Sequence, residues 1–372
     1  MNLENKLPLP LKEQFGKIKA FLKDYTGRAY LVGGGVRDML LNLPVNDLDI
    51  EVYDIDEMTF SKLMQELGAI GVGKSFFVYK IGDIDISLPR TERKNGVGHR
   101  AFNVKICSDE KQAARRRDFT MNAMMLDIFN YKLLDFYGGL ESLNKKVISL
   151  VDENSFAEDS LRVLRGIQFS SRFGFKIDKM TLEVMAKLPL NDLSKSRIFW
   201  ELEKLFNATF LHFGLYYLIR LGIFEKVFGV KIQKDLFFKT ALELYKNKDN
   251  FTEELNTYYF MYIVGNLCKL DISKVLENID APREYRNIFK NQPFIENDVN
   301  DEQLMEIAID IPIKNWLGNY KKGIIERAKK LDIYEHLYSG GVSVQSVILD
   351  GFQKEEIKKE LKRRKLEVIK SE

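Results

Sequence analysis

Residues 31–53 read LVGGGVRDMLLNLPVNDLDIEVY. Leu31 and Val32 end the apolar, β-rich run RAYLV, and the three glycines that follow break it as a turn does. VRDMLL then has helical character, and DLDIEV alternates as a strand does. Residues i and i+2 of a strand share a face, so Asp47 and Asp49 project side by side while Leu48 points to the core. Adjacent carboxylates repel unless a cation lies between them, and Mg²⁺ is commonly held by one or two carboxylates plus phosphate oxygens. A solvated acidic turn is the plain alternative. The glycines favour the first reading, because Gly33 and Gly34 let backbone amides approach a triphosphate and Arg37 stands one helical turn further on as a charge partner.

The 372 residues are 45% hydrophobic, enough for a substantial core and about two to four compact units. Lys and Arg number 57 against 54 Asp and Glu, a net charge of +3, so nucleic acid would be bound by a local patch and not by bulk charge. Cys107 and Cys268 form neither a disulfide framework nor a zinc pattern. No apolar run reaches membrane-spanning length and no basic-then-apolar leader opens the chain, so a soluble, cytoplasmic protein is expected.

Up to about Val151, short β-rich runs alternate with turns and helical pieces; from Phe156 onward apolar residues recur at helical spacing. The basic C-terminal stretch KEEIKKELKRRKLEVIK reads as a helix with a solvated face. GAIGVGKS, with Gly68, Gly73, Lys74 and Ser75, matches the phosphate-cradling G-x-x-x-x-G-K-[ST] pattern. Its context is inverted, with a helical stretch before it and a strand after it, so these glycines are expected to form a loop into a strand.

Several motifs together resemble the class II nucleotidyltransferases of the polymerase β superfamily, which comprise CCA-adding enzymes of transfer RNA and bacterial poly(A) polymerases. LVGGGVRDMLL…DLDI is similar to the family's catalytic strand, and RRRDFTMNAMMLDI to its second motif. LLDFYGGLESLNKKVISLV resembles the connecting segment, FAEDSLRVLRGIQFSSRFGF the base-selecting helix and SRIFWELEKLF a later helical motif. They fall in family order over roughly residues 28–205. The resemblance implies an α+β fold: a polymerase-β-like head of mixed sheet and helices at 1–145, then an all-α neck at 146–205, body at 206–290 and tail at 291–372.

It also implies attack by an RNA 3′-hydroxyl on the α-phosphate of CTP or ATP, with release of pyrophosphate and two metal ions, Mg²⁺, assisting. Asp47 and Asp49 match the metal ligands. Asp85 holds the position of the third catalytic carboxylate, with Asp83 on the same strand face as its competitor. By the same resemblance Arg117 would contact phosphate, Asp118 the ribose hydroxyl and Asn122 the triphosphate, while Arg115 and Arg116 could equally be solvated or bind RNA. Asp159, Arg162 and Arg165 are spaced three apart, which on a helix puts them on one face. An i,i+3 ion pair is the ordinary reading; the resemblance makes Asp159 and Arg162 readers of the incoming base, with Arg165 beside them, Glu158 orienting, and Arg197 with Glu201 bracing the helix.

RTERKNGVGHRAFNV, rich in Gly and charge, is expected to be a mobile loop, with His99 a loop residue. Only His99, His212 and His336 occur, so the appended His-Asp domain of some relatives is not expected. Asn42, Gly166 and Gln168 depart from common family residues, which touches fine base specificity. The expected partners are the 3′ acceptor end of tRNA, CTP and ATP, with no membrane and no obligate protein partner. CC-only or A-only addition and poly(A) synthesis remain within the family. Outside it stand a small-molecule nucleotidyltransferase, which would not need the helical body, and a silent RNA-binding protein, which would not need both aspartates.

Overall fold

A computed structural model describes residues 6–73, 77–94 and 102–371. The chain divides into two compact units, residues 1–170 with 174–197, and residues 171–173 with 198–372.

The first unit opens with α1 (Leu9–Leu22), which buries Leu11, Phe15, Ile18 and Leu22 at helical intervals. There follow β1 (Ala29–Val32), α2 (Gly34–Leu40), β2 (Leu48–Val52), α3 (Glu57–Glu66), β3 (Ile70–Gly73), β4 (Val78–Ile81) and β5 (Ile84–Ser87). Next come β6 (Arg90–Lys94), β7 (Phe102–Ile106), α4 (Glu110–Arg115), β8 (Met125–Asp127), β9 (Leu133–Leu134), α5 (Gly139–Lys145) and β10 (Val147–Ile148). After these run α6 (Glu153–Phe156), α7 (Leu161–Phe173), β11 (Lys176–Ile177), α8 (Lys179–Lys187) and α9 (Lys195–Phe206), the last three residues of α7 and all but the first three of α9 being counted with the second unit.

Seven strands form one mixed sheet in the order β3-β4-β5-β2-β1-β8-β9. All four residues of β1 are buried, which suits an apolar run placed inside the sheet. It pairs antiparallel with β2 and β8, whereas β2 pairs parallel with β5. Leu48, Ile50 and Val52 alternate into the core as predicted. Tyr30, Val32, Tyr53, Ala113, Ala114, Ala123 and Met125 form one buried cluster, with Tyr30 and Tyr53 edge to face at 5.4 Å.

Two local expectations change. Gly71 and Gly73 are not in a loop: β3 pairs with β4 through an irregularity between these glycines. Lys74 and Ser75 lie outside the described residues. The stretch expected as a mobile loop, residues 90–104, instead contains all of β6 and the start of β7, paired as a ribbon with Arg90 facing Ile106 and Thr91 facing Lys105. β6, RTERK, has no apolar residue to mark it as a strand, whereas β7, FNVKI, alternates apolar and polar as a strand does. Residues 95–101, with His99, lie outside the described residues.

The second unit is helical, as the spacing predicts. Its elements after α9 are α10 (Leu211–Arg220), α11 (Ile223–Phe228), α12 (Lys234–Lys246), α13 (Asn256–Leu267), α14 (Ile272–Asn278), α15 (Arg283–Asn287), α16 (Asp301–Ala308), α17 (Ile324–Lys330), α18 (Val344–Leu349) and α19 (Glu355–Ser371). Trp316 anchors a core with Leu304, Ile313, Ile324 and Ile333. In α19 much of the basic charge is paired: Arg363 and Arg364 with Glu360, Arg364 also with Asp350, and Lys362 with Asp310. Cys107 and Cys268 are free, buried thiols. Among the described residues no helix is long and apolar enough to cross a membrane.

Candidate active site

The groups of the candidate site lie in the first unit; Glu201, expected to brace it, falls in the second. Its base is the carboxylate strand. β2 starts at Leu48, so Asp47 sits just ahead of it; Asp47 and Asp49 are exposed and Leu48 is buried between them. The parallel register sets Asp49 directly beside Asp85, and in a parallel pair such neighbours share a face. Asp83 precedes β5, and its backbone carbonyl accepts the Leu48 N–H at 3.0 Å. Asp49 is open to solvent on one side, yet the surrounding protein pushes its carboxyl above the usual range, with Asp47, Asp85 and Glu51 adding to the shift against Arg117. Asp85 Oδ1 is buried without a hydrogen-bond partner, its nearest cation being Lys80 at 3.9 Å.

The glycine turn closes over this strand. Gly33 caps α2 with φ 72° and ψ −139°, a conformation nearly reserved for glycine. A Cβ here would stand 3.1 Å from Asp49 Oδ2 and 3.3 Å from Arg117 Nη1, so the bare backbone runs between those two groups. Gly34, inside the helix, has no such conformation. Arg117 donates through Nη2 to Glu51 Oε1 at 2.8 Å, and Arg116 donates to the same oxygen at 2.7 Å. Glu51 is 2% exposed although it follows Asp49 at i+2 on β2. Burial pushes its carboxyl up, but Arg117 and Arg116 outweigh this and hold it below the usual range.

Beside this lies a buried polar chain. Asp118 accepts from Arg165 Nε at 2.7 Å, from Asn122 Nδ2 at 2.9 Å and from the Phe119 amide at 2.8 Å. Burial alone would raise the Asp118 carboxyl; Arg165, the Asn122 bond and Arg162 bring it below the usual range. Asn122 in turn accepts from Arg37 Nη1 at 2.6 Å, and Arg37 Nε donates to Asp38 at 2.8 Å. Arg37 is therefore buried and reaches the site through Asn122. Arg37 and Arg165 both stand over the Phe169 ring, at 5.1 and 5.2 Å, where the π face stabilises cations.

The helical face expected to carry Asp159, Arg162 and Arg165 is shorter than predicted. α7 begins at Leu161, and Asp159 lies in the preceding turn, its carboxylate accepting the Leu161 N–H at 3.1 Å. Aspartate favours such local backbone bonds over a helix interior. Arg197 reaches Asp159 at 3.3 Å, while Glu201 accepts from Lys204. Arg162 donates to the carbonyls of Ser155 and Arg116, both at 2.7 Å. Ser155 and Arg116, with Arg115, Asp152 and Glu158, also line a polar cavity of about 500 Å³.

Among the described residues no three His, Cys, Asp or Glu side chains converge on one point as a self-sufficient metal site. The donors nevertheless suit a hard divalent cation completed by phosphate oxygens: exposed Asp47, Asp49 with its raised carboxyl, and Asp85, whose Oδ1 has no hydrogen-bond partner, are neighbours whose negative charge Arg117 and Lys80 offset only in part. Glu51 and Phe169 were not singled out from sequence. The i+2 spacing from Asp49 was the available signal for Glu51, whereas Phe169 gave none beyond helical apolar spacing.

Residues 29–149 match the poly A polymerase head domain, and residues 174–233 match the probable RNA and SrmB-binding site of polymerase A. The chain is 40% identical over 201 residues to the multifunctional CCA protein of Xylella fastidiosa strain M23, covering 50% of this chain and 47% of that one. It thus spans about half the length of these curated relatives. It is 28% identical over 354 residues to the CCA-adding enzyme of Staphylococcus saprophyticus, covering 82% and 86%. Its fold is that of the Bacillus stearothermophilus CCA-adding enzyme in complex with CTP (TM-score 0.69, 22% identity, 98% and 94% covered). The Thermotoga maritima CCA-adding enzyme complexed with tRNA shares it too (TM-score 0.69, 20% identity, 100% and 94% covered). The mixed-sheet head, the helical remainder and the glycine turn over paired carboxylates accord with these matches: residues 29–149 carry a poly A polymerase head domain, and the chain resembles the CCA-adding enzymes.

Proposed function

We propose that this protein is a template-independent nucleotidyltransferase that adds CCA to the 3′ end of tRNA from CTP and ATP, releasing pyrophosphate. The observation that carries the proposal is the register of Asp49 beside Asp85 with Asp47 flanking, under a turn where the backbone of Gly33 favours glycine. In this reading Asp47 and Asp49 hold Mg²⁺, and Asp85 is the third carboxylate facing the RNA 3′-hydroxyl. When bound, the two metal ions lower the hydroxyl's pKa and neutralise charge on the leaving group. The chain's own residues bind and orient. Gly33 and Gly34 leave backbone amides open to the triphosphate, Arg117 supplies charge, and Asn122, braced by Arg37, supplies a polar contact.

Asp118 would address the ribose, and the bonds from Arg165 and Asn122 fix its orientation. Asp159, steadied by Arg197, and Arg162, steadied by the Ser155 and Arg116 carbonyls, would present acceptor and donors to the base edge. Arg165 joins them from the same helix. We retain a head at 1–145, neck at 146–205, body at 206–290 and tail at 291–372, the helical parts gripping the acceptor end by phosphate contacts and A-form shape. The cytoplasm is the proposed compartment, and no protein partner is invoked.

The test is to incubate the protein with tRNA ending at its discriminator base, Mg²⁺ and labelled CTP and ATP, singly and together, and to read product lengths. Growth by C, C and A supports the proposal. An A ladder without limit indicates poly(A) synthesis, arrest after CC or a requirement for CC-ended tRNA indicates divided labour, and no incorporation refutes transferase function.

A further inference from the structure

We infer that Glu51 is a positioning residue for the incoming triphosphate: it pins the outer arm of Arg117 so that the inner arm is presented at Gly33, between the phosphate turn and Asp49. The inference rests on the transferase reading above. Glu51 is an almost completely buried carboxylate on the strand that carries the metal-holding aspartates, yet its oxygens do not join theirs. Oε1 receives both Arg116 Nη2 and Arg117 Nη2, at 2.7 and 2.8 Å, and Oε2 receives the Tyr53 hydroxyl at 3.3 Å.

Arg117 is thereby divided. Nη2 is spent on Glu51, and Nη1 lies where a Cβ on Gly33 would come within 3.3 Å. That Cβ would also stand 3.1 Å from Asp49 Oδ2. A guanidinium released from Glu51 would have the uncompensated Asp49 carboxylate as its next partner and would occupy the place of a cation there. Glu51 therefore keeps two arginines and two aspartates from collapsing on one another, holding the cationic arm toward phosphate and the anionic pair open. A guanidinium holds two acceptors at once through its planar fork, which suits this division between protein and ligand.

The experiment is calorimetric titration of the full chain with CTP and Mg²⁺ in the absence of RNA, so that no turnover occurs. Glu51→Gln keeps the volume and removes the charge; CTP binding should weaken roughly ten- to a hundredfold, the effect of losing a charged hydrogen bond. Because the role runs through Arg117, Glu51→Gln/Arg117→Gln should bind no more weakly than Arg117→Gln alone. A merely structural carboxylate would instead give effects that multiply. Wild-type affinity in Glu51→Gln, or multiplying effects, overturns the inference while leaving the transferase reading standing. Wild-type protein that binds no CTP overturns both. Should Glu51→Gln not yield folded protein, Glu51→Asp decides: it keeps the charge but is one methylene too short to reach both arginines, so several-fold weaker binding supports the role and wild-type binding refutes it.

Discussion

Replacing each of two neighbouring glycines by alanine separates backbone geometry from simple space. Gly33 has φ 72° and ψ −139°, so Gly33→Ala places an L residue in a region that costs about 1–3 kcal/mol. The new Cβ also meets Asp49 Oδ2 at 3.1 Å and Arg117 Nη1 at 3.3 Å. Both are ends of side chains that can yield by a few tenths of an ångström, so this crowding adds little to the stability loss but shifts the two groups that the chemistry needs. Misplacement near the reacting centre is costly in rate, and incorporation of CTP should fall at least ~10-fold, up to ~100-fold. Gly34→Ala is the control. Gly34 is the first residue of α2 and has no positive φ, and its Cβ would be 3.4 Å from Arg37 Nη2, a normal contact. It should leave stability unchanged or raise it by up to about 1 kcal/mol, as alanine does in a helix. Urea denaturation gives the first quantity and single-nucleotide extension of tRNA the second. A Gly33→Ala protein with wild-type midpoint and rate, or a Gly34→Ala protein equally damaged, would refute the reasoning.

Asp47→Ala and Asp49→Ala should each abolish incorporation of C and A while RNA retention on a filter stays near wild type; more than a few per cent residual activity in both would mean the wrong strand was chosen. Asp159→Ala and Arg162→Ala should relax discrimination among the four triphosphates, with losses of about 1.5–3 kcal/mol in selectivity and turnover still measurable; unaltered selectivity in folded protein refutes base reading. Asp118→Asn should cost about 1.5–3 kcal/mol at pH 7. The folded Asp118 carboxyl is held below the usual range by Arg165, Asn122 and Arg162 against burial, so its contribution is whole above the unfolded value of roughly 4 and is lost as pH falls through the folded one. The gap between wild-type and variant urea midpoints should therefore narrow on acidification, and a gap constant from pH 7 to 3 would contradict this. RNA binding should weaken steeply between 50 and 200 mM salt, roughly as phosphate tracking requires; a flat response measured by anisotropy would remove the phosphate-contact picture.

The strand-turn-helix-strand of residues 29–52 was legible because alternation, glycine and helical spacing each act locally. Asp85 could be placed only by resemblance, since the parallel register that sets it beside Asp49 joins strands more than thirty residues apart. Glu51 escaped notice because alternation at i+2 from an exposed aspartate reads as solvent-facing; its burial depends on arginines that arrive from another part of the chain. Arg37 was read as facing phosphate directly, whereas its burial against Asp38 and Asn122 is a tertiary fact with no local signature. Asp159 shows the limit of spacing arguments: the i,i+3 interval holds, but the helix begins two residues later.

The parallel pairing of β2 with β5 also determines where this gene can gain or lose codons. The connection between them passes through α3, β3 and β4, the last two being strands of the same sheet in register with β5, so only its turns are free to change length. Leu48, Ile50 and Val52 on one strand and Ile84 and Ile86 on the other lock the register by burial, so a one-residue slip would turn Asp49 inward and Leu48 outward. An insertion in a turn of the crossover costs only a little closure entropy, whereas one residue added between Asp47 and Glu51 dismantles the carboxylate face. Between Asp47 and Ser87, length variation is thus confined to the turns of the connection, and the carboxylate strand can vary in residue type but not in number.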